Sequence, residues 1–213
     1  MKTDDLIALL ATGVEPVDPK AVQKRFQWAL LGGVLGSFVL MLWLFGLRQD
    51  LGSAVVLPMF WLKVALPLAV AVPALVLTAR LGRPGVPAGR LWLALPVPWL
   101  VLTGLALLVL VNAEPQDRLA LVLGSSWMSC ALNITLVSSP SFVGVLWALH
   151  GMAPTRPALA GACAGLLAAS LGTLVYALHC PEMQAPFLAV WYVLGLSIPT
   201  VAGALLGPRL LRW

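Results

Sequence analysis

Six times along the chain, an apolar run of 20 residues or more is closed by a short break that carries most of the charge. About 20 apolar residues are what a helix needs to cross the hydrocarbon core of a bilayer. With no water there to satisfy backbone groups, each run must bond within itself, which makes it a helix. The runs fall at residues 28–47, 54–79, 91–112, 119–149, 158–178 and 187–207. Composition agrees: 61% of the residues are hydrophobic and 10% charged, against about 45–50% and about 25% in a soluble domain. The expected fold is therefore all-α: a polytopic membrane protein with six transmembrane helices (residues 28–213) behind a short N-terminal tail (residues 1–27). No segment of soluble domain size is left over.

Two features of the runs bear on packing. The fourth is too long for one straight span, and Ser138, Ser139 and Pro140 in its middle predict a kink or break there, because proline removes a donor and clashes one turn back. In the fifth, Gly161 and Gly165 stand four residues apart, a spacing that lets helices approach closely. Faces of this kind also admit a homodimer.

Orientation follows from the basic residues. The tail and the loops on its side hold ten (Lys2, Lys20, Lys24, Arg25, Arg80, Arg83, Arg90, Arg156, Arg209 and Arg212), and the opposite loops hold two, Arg48 and Arg118. Basic loops stay in the cytoplasm, so both termini are expected inside a bacterial inner membrane. The net charge of +5 then reflects topology, not a nucleic-acid surface. The first run starts only at residue 28 with no small-residue cleavage site behind it, which reads as a span and not a removable signal.

The chain has three cysteines. Cys180 lies at the outer end of the fifth span, in the loop HCPEMQAP, facing an oxidising compartment. Cys130 enters from the same side, about 16 Å down if its helix starts near Leu119 and less if it starts near Gly124. Cys163 is about 25 Å from Cys180 along one helix and reads as packing. Cys130 and Cys180 admit three readings: small apolar fillers, a redox-responsive pair, or part of a metal site. For the last, His179, Cys180, Glu182 and Met183 supply soft and borderline donors without matching a zinc spacing. No resident cofactor is required; a transient thiophilic metal ion is the one this set admits. Lys63, the only charge well inside a run, can snorkel to the outer interface beside Trp61. Alternatively it stabilises a Cys130 thiolate.

In the tail, MKTDDLIALLATG reads as a short helix, with Thr3 as cap, Asp4 and Asp5 at the positive end of its dipole and Gly13 to close it. Leu6, Leu9 and Leu10 make one apolar stripe. After a linker stiffened by Pro16 and Pro19, a second helical segment capped by Asp18 leads into the first span. A ten-residue helix alone in water is marginal, so the first needs a surface to lie on. Acidic flanking residues favour a protein partner over anionic lipid.

The tail MKTDDLIALLATGVEPVDP, the inner loop GMAPTRPALAGA, the boundary YALHCPEMQAPFLAVWYVLG and the end GALLGPRLLRW resemble, over essentially the whole chain, the NrsF-like family of bacterial membrane anti-sigma factors. The resemblance implies a six-span inner-membrane protein whose short cytoplasmic tail holds an extracytoplasmic-function sigma factor inactive; the tail residues expected to cover the sigma factor are Leu6, Ile7, Leu9 and Leu10, with Asp4 and Asp5. It also implies two functional cysteines, mapping onto Cys130 and Cys180; the mechanism expected from these residues is that metal or redox stress alters the pair and the tail then releases its partner.

Two other classes fit parts of the sequence. A membrane thiol oxidoreductase would use outward cysteines but normally a C-x-x-C pair, which is missing. A small transporter would suit six spans and a buried charge, yet no internal repeat is evident. No nucleophile, general base or phosphate loop stands out, so an enzyme is not expected.

Overall fold

The computed structural model describes residues 3–12 and 20–212, all helices and connections with no strand among them. Gly13, Pro16, Asp18 and Pro19, expected to close the tail helix, stiffen the linker and start the next segment, lie outside the described residues. Helix α1 covers Thr3–Ala11 and contains no buried residue. Helix α2 runs unbroken from Ala21 to Leu44, so the second tail segment and the first span are one rod. A short turn α3 (Leu51–Ala54) leads to α4 (Pro58–Leu81). A 3-10 stretch at Gly89–Ala94 enters α5 (Val97–Asn112), and α6 (Arg118–Leu123) is followed by α7 (Trp127–His150). Helix α8 (Pro157–Tyr176), the short α9 (Ala185–Phe187), a π-helical turn at Leu188–Tyr192 and α10 (Val193–Leu210) complete the chain. Six of the helical stretches are long and apolar enough to cross a membrane.

Helix α8 is the most buried span, enclosed by α10, α7 and α4, while α2 covers α7. The expected small-residue packing is taken up within the chain. Gly161 and Gly165 meet Gly203, Gly207 and Pro199 of α10, where any added Cβ would overlap a backbone carbonyl. This seam leaves that face of α8 no room for a second copy. A similar seam joins α2 to α7: Gly36 abuts Pro140, Gly144 abuts Ala29, and the buried Ser37 and Ser141 hydroxyls bond at 3.0 Å.

The fourth span breaks, but not where proline suggested. Helix α7 passes through Pro140 because the Ser139 hydroxyl donates at 2.7 Å to the Leu136 carbonyl, which the proline leaves without its backbone donor. The break is at Gly124 (φ 58°, ψ −163°), a conformation essentially reserved for glycine. There a Cβ would also run into Phe187 and Glu182.

Replacing Gly165 by Val should lower the thermal midpoint of the detergent-solubilised protein. Overpacking costs about 1–3 kcal/mol and more where the obstacle is backbone. Gly104→Ala, which faces open space, should leave the midpoint nearly unchanged; intrinsic tryptophan fluorescence reads both.

Candidate functional site

At the end of the bundle opposite the chain termini, two chain reversals bring the thiols together. The break at Gly124 puts Cys130 in the first turn of α7, which removes the depth mismatch expected from a helix starting at Leu119. The loop after α8 folds back, its Cys180 N–H donating to the Tyr176 carbonyl at 3.0 Å. Cys130 and Cys180 are both free thiols with no exposed surface, facing one another in one apolar cluster. Cys163 belongs to a separate cluster with α4 and the far half of α7, as a packing residue would.

Lys63 does not snorkel outward past Trp61. Its side chain is fully buried, and its ammonium donates to the carbonyls of Cys180 at 2.6 Å and Glu182 at 2.8 Å. The face of the Tyr192 ring lies 5.7 Å away. Its hydrogen bonds thus go to the loop that carries Cys180. Arg48, clamped to Asp50 by two 2.7 Å bonds, donates to the same Cys180 carbonyl at 3.3 Å. Hydrogen bonding from the Cys130 thiol, reinforced by the Lys63 ammonium, holds the Cys180 thiol below its ordinary range against the opposing effect of burial.

The other candidate ligands point elsewhere. One oxygen of the Glu182 carboxylate accepts from the Ser125 N–H at 2.7 Å, the Ser125 hydroxyl at 2.6 Å and the Ser126 hydroxyl at 3.5 Å. That places a negative charge at the positive end of α7. His179 bonds the Gly46 carbonyl through Nδ1 at 3.1 Å and packs on Phe45 and Tyr176. Met183 lines a different cavity, between α4 and α5. Among the described residues, no three His, Cys, Asp or Glu side chains gather closely enough to hold a metal ion.

Sequence reasoning missed several members of this site. The chain has two tyrosines, and both are here: Tyr176 accepts from Asn133 at 3.4 Å, and Tyr192 is buried with an unpartnered hydroxyl facing Cys180. The π turn rotates Tyr192 inward and lets Trp191 donate to the Val122 carbonyl at 2.9 Å, tying α10 to the break in the fourth span. The available signal was compositional: a residue type used only twice, both times within a dozen residues of Cys180.

At the opposite end, Arg25 of α2 donates to the Trp147 carbonyl at 2.6 Å, and its guanidinium stacks 4.2 Å from the Trp147 ring. Gly151 leaves the room this needs. On α1, Asp4, Asp5, Leu6, Ile7, Leu9 and Leu10 are all exposed, the last three by 59–67%.

A multi-pass helical membrane protein with a buried thiol pair at one end and an unburied amphipathic helix at the other is the class this architecture defines. Residues 10–213 match the family described as negative regulator of sigma F, NrsF, and the chain belongs to that family. It is 45% identical over 213 residues to the "Probable anti-sigma-F factor NrsF" of Azospira oryzae. It is 38% identical over 219 residues to the "Anti-sigma-F factor NrsF" of Caulobacter vibrioides; both matches cover 100% of each chain. No solved structure matches.

Glu182→Ala removes the catch between the Cys180 loop and α7. Its loss should open the loop by about 1–2 kcal/mol and so speed alkylation of the thiol pair by a membrane-impermeant maleimide about tenfold, as read by peptide mass spectrometry, while Cys163 stays unlabelled.

Proposed function

We propose that this protein is an inner-membrane anti-sigma factor with both termini cytoplasmic, and that α1 holds an extracytoplasmic-function sigma factor until oxidation of Cys130 and Cys180 releases it. Family membership and the two relatives named as anti-sigma-F factors support the regulatory role. The distribution of ten basic residues against two supports the orientation. Helix α1 supports the mode of capture: it is too short to persist alone, and it leaves Leu6, Ile7, Leu9 and Leu10 uncovered. A sigma factor would cover that apolar surface, with Asp4 and Asp5 at its border. In this reading the chain regulates and does not catalyse.

The observation that carries the proposal is that one helix touches both ends. Helix α7 holds Cys130 in its first turn and presents Trp147 to Arg25 in its last, on the same rod, α2, from which the tail emerges. A disulfide holds the two Cα atoms about 4.4–6.8 Å apart. Forming it re-seats the first turn of α7 and the loop held by Lys63, Arg48 and Glu182. The α2 and α7 seam, with its Ser37 to Ser141 bond, carries that displacement toward the tail. The disulfide reading is preferred to metal because no third donor converges on the thiols among the described residues.

The test uses the full chain co-expressed with its host's sigma factors and purified in nanodiscs. Wild type should retain a sigma factor and lose it on diamide treatment, with affinity falling about 5- to 150-fold, the usual range of an allosteric coupling. Cys130→Ser and Cys180→Ser should each retain the partner under diamide, and Leu6, Leu9 and Leu10→Asp should never capture it. Release by both cysteine variants at the wild-type rate would overturn the sensing mechanism; capture by the Asp variant would overturn the tail's role.

A further inference from the structure

Lys63 carries a buried charge with no anion beside it. Its ammonium bonds two neutral carbonyls, while the nearby carboxylates are engaged elsewhere, Glu182 with Ser125 and Asp50 with Arg48. A buried cation is costly unless a counter-charge accompanies it. The charged and titratable groups facing Cys180 are Cys130 from α7, Lys63 from α4, Arg48 from the connection after α2, Tyr176 from α8 and Tyr192 from the π turn, with Glu182 two residues along the loop. Of these, only a thiol ionises readily enough to supply the missing charge. Two cationic side chains bond the Cys180 carbonyl, whereas Cys130 lies in the first turn of α7.

We propose that Lys63 is the positioning residue of the thiol pair, keeping Cys180 as the thiolate that meets an oxidant and leaving Cys130 as the thiol that resolves it. The oxidant class is a hydroperoxide. The Cys180 sulfur attacks its distal oxygen; an S–O bond forms, the O–O bond breaks, the leaving oxygen takes a proton, and the sulfur is oxidised by two electrons to a sulfenic acid. Cys130 then attacks that sulfur, an S–S bond forms, and the hydroxyl departs as water with the Cys130 proton. The inference rests on the redox reading above and adds an order to it: one reacting thiol, one resolving thiol, and a lysine that decides between them.

The experiment uses the full chain in nanodiscs without any sigma factor, with Cys163→Ser to remove the third thiol. Failure here therefore leaves partner capture untouched, and failure of capture leaves this result standing. Limiting N-ethylmaleimide is applied from about pH 5 to about pH 9, and the modified residue is located by peptide mass spectrometry. Cys180 should react at least about tenfold faster than Cys130 near neutral pH. Lys63→Met should move the midpoint of the Cys180 profile upward by about one pH unit; because it also frees the loop from two bonds, the alkaline plateau should rise, so the midpoint and not the rate at any single pH is the readout. Lys63→Arg should preserve the wild-type profile. If Lys63→Met instead speeds Cys180 at every pH with the midpoint unmoved, the lysine only props the loop and the proposal fails. A second measurement needs no lysine variant: with Cys130→Ser, hydroperoxide should leave a dimedone-reactive sulfenic acid on Cys180, whereas Cys180→Ser should leave none on Cys130. Equal trapping on both would overturn the order.

Discussion

A polar group inside a bilayer has no water to turn to, so each must find its partner in the protein. That constraint explains the positions of most polar side chains here. Ser139 supplies the donor that Pro140 lacks, Trp191 reaches the carbonyl of Val122 beside the Gly124 break, and Arg25 satisfies the last turn of α7. Lys63 is the extreme case, because an ammonium cannot be satisfied by one acceptor. It draws the carbonyls of Cys180 and Glu182 down to itself, and the loop that follows α8 takes its inward shape from that demand. The two thiols face each other as a consequence.

The fold was legible because run length and charge placement report directly on the solvent, and six apolar runs leave few alternatives to six helices. The glycine spacing of α8 was equally legible, although it did not reveal that the partner face belongs to the same chain. The break in the fourth span was misplaced for a physical reason: Pro140 is visible as a helix breaker, but a neighbouring serine that repairs the missing bond is not recognisable without coordinates. Gly124 carried the true signal, a glycine followed by two serines just before a tryptophan. Within the site, the cysteines and Lys63 stood out by rarity and position. Their partners did not, since Arg48, Ser125 and Tyr192 each come from a different element and are ordinary residues in their local context.

The geometry separates two jobs that a single stable protein must perform. The centre is rigid: α8 and α10 meet backbone to backbone through glycines, and that seam offers no second arrangement. The periphery of α7 is different. Along its length the helix packs closely on α2 and α8 as well, but its first turn is anchored through a single carboxylate oxygen of Glu182 and its last turn through one arginine. In the proposed response it is these two ends of α7 that shift against the fixed centre. Cys163 lies in the cluster away from the moving turn and its loop, and this position accounts for its lack of any role in the proposed chemistry.

In the proposed mechanism the signal comes from outside, and the same division bears on why the two thiols are covered. A thiolate open to an oxidising compartment would react at every encounter, and a regulator that fires at basal oxidant has no resting state. Burying both sulfurs under a loop held by Lys63, Arg48 and Glu182 makes the rate of sensing depend on loop opening as well as on chemistry. In the proposed reaction the lysine acts in both factors with opposite sign, closing the loop over Cys180 while favouring the ionised form that reacts once the loop parts. A cation that slows access and speeds the subsequent step gives low background and a committed response. That combination gives a physical reason to keep a charge at a depth in the membrane where charges are otherwise rare.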